Sequence, residues 1–201
     1  GARQSRAGRG GATRRLSRTR AADTLRGMSD GGTARSTMLV IAGMHRSGTS
    51  SVAGLYRCLG ADLGTSLMPP APDNPKGFFE NNRIVFAHDA LLAALDRAWN
   101  SLVPPDAGWE TSEDAFQASQ YLEFILANEC SSDAPVWMVK DPRLCLLMPL
   151  WHQIAADFGR TLKTVVVVRH PEEIAASLRA RANIPFDDAM QLCLKYTQAL
   201  A

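Results

Sequence analysis

The segment Met38-Leu-Val-Ile-Ala-Gly43-Met-His-Arg46-Ser47-Gly48-Thr49-Ser50-Ser51 constrains this chain most, because an apolar run breaks at a glycine into a loop that opens a helix. Gly43 and Gly48 stand at the G-x-x-x-x-G spacing of a phosphate-cradling loop, but the Lys expected next is Thr49. Glycines so spaced let backbone N–H groups curl round an anion, and the following helix adds its positive end. Arg46 lies inside the loop, and a Thr-Ser-Ser run of hydroxyls follows it. The pattern predicts a grip on a phosphate or sulfate group by means other than the ATPase lysine. An ordinary strand–turn–helix could carry the same two glycines.

From residue 37 onward, strand and helix patterns alternate. Thr37–Ala42 reads as a buried strand and Thr49–Leu59 as a helix stopped by Gly60. Pro69 to Lys76 is a rigid proline loop, and Asn82–Trp99 has helical spacing through Val85, His88, Asp89, Leu92 and Leu95. A helix is expected from about Ser112 to Glu129, capped by Thr111 or Ser112. Pro135–Lys140 reads as a short strand and Leu144–Phe158 as a helix ended by Gly159. Lys163–Val168 is predicted to be a buried parallel strand. Pro171 starts a helix running to about Ala182, and a last helix begins near Asp187. Strands alternating with helices indicate an α/β sandwich on a small parallel sheet.

Charge divides the chain unevenly. Residues 1–36 hold nine arginines and two aspartates, whereas the rest holds 13 basic and 18 acidic residues. The Arg-rich segment has too few large apolar side chains to offset its ordering entropy and is expected to be disordered. An extension upstream of a true start at Met28 is favoured over a nucleic-acid or membrane tail and over a targeting leader. The mildly acidic remainder argues against a nucleic-acid-binding face. The four cysteines (58, 130, 145, 193) show neither close pairing nor metal-ligand spacing, and no apolar run reaches a bilayer-spanning length. The expectation is a cytoplasmic protein with reduced thiols and no membrane span.

Residues leaving the C-terminal ends of parallel strands are placed to act on a ligand. Three groups sit there: the loop 43–51, Lys140-Asp141-Pro142-Arg143 and Arg169-His170-Pro171. A nucleoside triphosphatase needs an acid for Mg²⁺ at the end of a later apolar strand, but Val165–Val168 ends in Arg169. Asp141 is the only substitute. Both departures favour metal-free anion chemistry with Arg and Lys as the clamp, although Arg169 could instead pair with Glu172 or Glu173.

With these blocks in view, the chain resembles sulfotransferases that use 3′-phosphoadenosine-5′-phosphosulfate. It is most like bacterial sulfotransferase-family proteins and distantly similar to tyrosylprotein sulfotransferases. Arg46-Ser47-Gly48-Thr49-Ser50 matches the family's 5′-phosphosulfate loop, and Arg169 with Ser177 eight residues on matches its 3′-phosphate element. Asn74-Pro-Lys-Gly-Phe-Phe-Glu-Asn81 and Lys140-Asp-Pro-Arg143 resemble further blocks, so the likeness covers roughly 37–200.

The resemblance implies a P-loop NTPase-like three-layer sandwich that is C-terminally incomplete, since family domains continue through another strand. It implies that Arg46 and the N–H groups of Ser47, Gly48, Thr49, Ser50 and Ser51 hold the phosphosulfate without metal. Lys140 would neutralise the bridging oxygen, and Arg169 and Ser177 would hold the 3′-phosphate. Glu80 is the implied base, with His45 the alternative, whereas His88, His152 and His170 read as surface or packing residues. Trp99, Trp109 and Trp151 are candidates for an acceptor pocket but fit a core role better. The acceptor would be a carbohydrate, lipid, small-molecule or peptide hydroxyl. Two other readings remain open: a divergent P-loop kinase with Asp141 on the metal, and a truncated nucleotide-binding remnant without catalysis.

Overall fold

The computed structural model describes residues 36–200. The expectation of disorder for the Arg-rich leader lies outside that range, apart from Ser36. Three parallel strands, β1 (Thr37–Ala42), β2 (Val136–Lys140) and β3 (Thr161–Val166), form one open sheet in the order β2-β1-β3. Among the described residues six α-helices flank it: α1 (Thr49–Cys58), α2 (Asn82–Ala94), α3 (Glu113–Glu129), α4 (Leu144–Asp157), α5 (Pro171–Ala182) and α6 (Phe186–Gln198). None is long and apolar enough to cross a membrane.

Strand alternation sends β1 side chains into two cores. Leu39 and Ile41 pack with Ala53 of α1, Leu63 and Met138 on one face. Met38, Val40 and Ala42 pack on the other face with Trp137, Val139 and the apolar sides of α2 to α6. Of these helices, α4 rests directly on β1 and β3, while α2 pairs with α3 and α5 with α6. Helices thus cover both faces, and the α/β reading holds.

Register explains where a ligand can sit. Ile41 is level with Lys140 of β2 and Val165 of β3, so the three strands end together. The loops after Ala42, Lys140 and Val166 therefore leave from one rim of the sheet. Gly43 is required at that rim by proximity. A Cβ placed there would lie 2.6 Å from the Val167 carbonyl oxygen and 2.9 Å from Ser47 Oγ.

Two predicted elements need correction. β3 starts two residues earlier than expected, stops at Val166 and is an edge strand, with Lys163, Thr164 and Val166 exposed. The run of valines suggested cover on both sides, but Val168 is 80% exposed beyond the strand end. The helix expected to reach Trp99 stops at Ala94, where Asp96 turns left-handed (φ 56°) and Arg97 N–H donates to Leu92 O at 2.7 Å. Apolar spacing ran past the true end because Leu95 and Trp99 still pack on the core from the following loop.

Gly43→Ala is expected to lower unfolding free energy by about 1–3 kcal/mol, because the Val167 carbonyl is backbone and cannot rotate aside. Urea denaturation would register it as a lower midpoint at unchanged slope.

Candidate functional site

The loop after β1 delivers its backbone to the rim as an anion cradle requires. Gly48 takes a left-handed conformation (φ 100°) and starts α1 with no side chain capping the helix. Ser47 N–H is spent on Met44 O (3.1 Å) and Ser51 N–H on Gly48 O (3.0 Å). Among the described residues the N–H groups of Gly48, Thr49 and Ser50 find no acceptor, and the first turn of a helix offers them none of its own. The expected donor set of residues 47–51 is therefore narrower. The Ser47 Oγ is buried with no partner among the described residues, and the residue lines a separate apolar cavity on the far side of the loop.

A polar cleft of about 220 Å³ opens over this helix end. Arg46, Lys140 and Arg169 all line it, together with Gly48, Thr49, Ser50, Ser51 and Glu80. Arg46 sits in the left-handed region (φ 71°), a conformation that costs a non-glycine residue about 1–2 kcal/mol. It is held there from both ends: its Nε donates to Ser177 Oγ at 2.8 Å, and its carbonyl accepts from Arg169 Nη1 at 3.1 Å. Ser177 stands behind Arg46 and does not line the cleft. Arg169 also pairs with Glu173, four residues on, at 2.7 Å, which is the pairing the sequence offered as the alternative, while it lines the cleft. A further cation, Arg181, lines the cleft and was not foreseen from sequence. Its signal was there: it lies four residues, one helical turn, beyond Ser177 on α5.

Lys140 and Glu80 form a buried ion pair in the same cleft. Lys140 Nζ also donates to Ser50 Oγ at 3.2 Å, which ties the pair to the first turn of α1. Burial raises the Glu80 carboxyl above its ordinary value, against the opposing pull of the Lys140 ammonium. Its position is fixed by its neighbour. Asn81 caps α2 by accepting from Arg83 N–H and Ile84 N–H, and its amide donates to Glu129 at 2.7 Å. Glu129 in turn gathers Ser66 N–H (3.0 Å) and Thr65 N–H (3.2 Å). Burial works to raise Glu129, but the Asn81 and Ser66 bonds hold it down at about 2. Sequence reasoning named Glu129 only as the end of a helix.

His45 lines the cleft beside Trp99, with ring centroids 4.4 Å apart. Burial, aided by the Arg143 charge, pushes its pKa down to about 3, so the ring is neutral at physiological pH. Trp109 is half-buried against the core and Trp151 is wholly inside it, so only Trp99 approaches the cleft.

Asp141 faces away from all this. Its Oδ2 meets His88 Nδ1 at 2.8 Å, and its Oδ1 accepts from Arg143 N–H and Arg143 Nη1, each at 2.9 Å. Trp151 Nε1 donates to His88 Nε2 at 2.9 Å, which leaves the imidazole proton on Nδ1, aimed at Asp141. Arg143 closes the network by gripping both oxygens of Asp89. Burial alone would raise Asp141, yet the His88 hydrogen bond and the Arg143 charge hold it well below the usual carboxylate range. With both oxygens taken, Asp141 does not serve as the metal ligand of the kinase alternative. His88 is a core histidine, as expected of a packing residue, whereas His152 and His170 are exposed.

Asp141→Ala is expected to destabilise the fold by about 3–5 kcal/mol, since it strands the buried Arg143 charge and the His88 proton. Chemical denaturation reads the loss, and Asp89→Asn, at the exposed end of the network, should cost clearly less. No protein-family model, curated protein or solved structure matches the chain, so the cleft is read from its own geometry.

Proposed function

We propose that the cleft transfers a sulfuryl group from 3′-phosphoadenosine-5′-phosphosulfate to a hydroxyl acceptor, on a P-loop NTPase-like core. The observation that carries this reading is the meeting, in one small cleft, of an uncapped helix N-terminus, Arg46, Lys140 and Arg169 with a buried carboxylate, Glu80. The donor set fits the co-substrate: free N–H groups and cations suit a phosphosulfate and a second phosphate without requiring a divalent ion. When bound, the donor supplies an activated sulfuryl group.

Glu80 accepts the proton of the attacking hydroxyl, a role its burial favours by raising its basicity. Lys140 neutralises charge developing on the departing side, and Ser50 holds its ammonium in place. Arg46 orients the 5′ end, its guanidinium steadied by Ser177, and Arg169, which also braces the strained Arg46 backbone at its carbonyl, holds the 3′-phosphate. His45, neutral and weakly basic, is the poorer candidate for the base. The acceptor's class follows from none of these contacts beyond its hydroxyl.

Calorimetric titration should show 3′,5′-adenosine bisphosphate binding without Mg²⁺ and more tightly than ATP, a preference that Arg169→Ala erases. Equal or tighter binding of ATP that requires Mg²⁺ would overturn the assignment. Glu80→Gln is expected to lower kcat by roughly 10²–10⁴ with nucleotide affinity retained, which separates a base from a mere fold element. In the wild type, kcat/KM should fall as pH drops through a value above the ordinary carboxyl pKa of 4.5, because Glu80 must lose its proton to act. That acid limb should vanish in the Gln variant.

A further inference from the structure

The proline-rich strap over residues 69–78 crosses the mouth of the cleft and places one carboxylate among its cations. Asp73 Oδ2 lies 2.8 Å from Arg181 Nε and 3.5 Å from Arg46 Nη1, so a single oxygen spans both guanidinium groups. The strap is folded on itself, with Asp73 inside the turn that its ion pair braces. Four of its residues (69, 70, 72, 75) are proline, and Ala71 and Asn74 exchange backbone bonds (2.8 and 3.3 Å). It is rooted where Met68 N–H donates to Glu80 O at 2.8 Å and Asn82 N–H to Ser66 O at 2.8 Å.

Its grip on the cleft is light by contrast. Asn74 Nδ2 donates to Ser50 Oγ and Ser50 Oγ donates to the Phe78 carbonyl, each at 3.3 Å, and Arg181 lies over the Phe78 ring. The strongest tie is the Asp73 ion pair, and its partners are 27–41% exposed. An exposed pair of this kind is weak enough to be exchanged.

From these contacts we infer that Asp73 is a built-in counter-ion that an incoming anion must displace, so that ligand entry and release of the strap are one event. Arg46 and Arg181 cannot hold a sulfate or phosphate group and the Asp73 carboxylate together, because two like charges would share one small cleft. Anion binding therefore works against the Asp73 contacts, and the strap is the part that yields, since Arg46 is pinned by Ser177 and Arg169. The device keeps Asp73 on two of the cleft's four cations until an anion of sufficient charge arrives. It selects against singly charged ions, which replace the carboxylate without gain.

This inference rests on the anion-binding reading of the cleft, and hydrogen–deuterium exchange separates the two. Without ligand, Asp73→Asn should speed exchange of the Asn74 and Gly77 amides, whose acceptors lie within the strap. Inorganic sulfate, compared with chloride at equal ionic strength, should speed the same amides in the wild type and add nothing in Asp73→Asn. The variant should also bind 3′,5′-adenosine bisphosphate about two- to fivefold more tightly, the scale of one exposed ion pair. Sulfate that leaves the strap unchanged or protects it overturns the latch, as does equal affinity of the two proteins for the bisphosphate. If sulfate releases the strap but neither protein binds the bisphosphate, the latch stands and the nucleotide reading falls.

Discussion

Charge compensation at the end of β2 is the constraint around which this structure is organised. Lys140 and Asp141 are adjacent and both almost wholly buried (4% and 0% exposed), an arrangement too costly to survive without partners. Strand alternation separates them, sending one to each face of the sheet. Lys140 turns to the α1 side and meets Glu80 and Ser50, while Asp141 turns to the α4 side and meets His88 and Arg143. Lys140 finds its counter-charge in Glu80 and Asp141 finds a hydrogen-bond partner in His88, both far back in the chain, while Arg143 lies only two residues on, so α1 and α2 are drawn to the rim where α4 begins. The two pairs differ in accessibility. Asp141 and His88 are wholly buried with their side-chain polar atoms paired and act as a structural pin, whereas Lys140 and Glu80 line the cleft, where their partners can be exchanged.

The pin on one side makes precision on the other possible. His88 and Asp89 hang from α2, the helix whose cap residue, Asn81, follows Glu80 directly. Fixing α2 through His88 to Asp141 and through Asp89 to Arg143 thus fixes the start of that helix, and with it the Glu80 carboxylate. Glu129 secures the same point from α3 by binding Asn81 and the 64–66 turn. Four elements therefore set the position of a single carboxylate. A surface carboxylate with no task would gain little from such support, because each bond costs the freedom of the side chain that makes it.

Much of this was legible in the chain itself. Thr37–Ala42 and Pro171–Ala182 stand where patterning placed them, because a short apolar run ended by glycine and a proline at the first helical position are local signals. The meeting of the 43–51 loop, Lys140 and Arg169 was legible from topology, since parallel strands bring their C-terminal ends to one rim. What the sequence hid were interactions whose partners lie far apart along it. The Arg181–Asp73 pair spans more than a hundred residues, and Glu129 reaches back to Asn81. Asp141 is made a core pin and not a metal ligand by His88, 53 residues away, on one oxygen and by Arg143 on the other. The edge position of β3 was hidden for a similar reason: four valines in a row report apolar surroundings but not how many sheet neighbours a strand has.

Two cavities flank the 43–48 loop, and elementary electrostatics says which one an anion would enter. The larger, about 590 Å³, lies between β3, α5 and α6 and is walled by Val166, Val168, Ile174, Met190 and Leu194, with Arg169 at its margin. A doubly charged group placed there would lose its hydration to apolar walls and gain one cation in return. The smaller cleft offers Arg46, Lys140, Arg169 and Arg181 against Asp73 and Glu80, a surplus of positive charge beside an uncapped helix end. Volume points to one cavity and charge to the other. Charge prevails, because desolvating an unpaired dianion costs far more than filling an apolar hollow returns. The loop therefore acts as a partition: its backbone amides and Arg46 face the ionic side, and Ser47 with Met44 turns toward the apolar one.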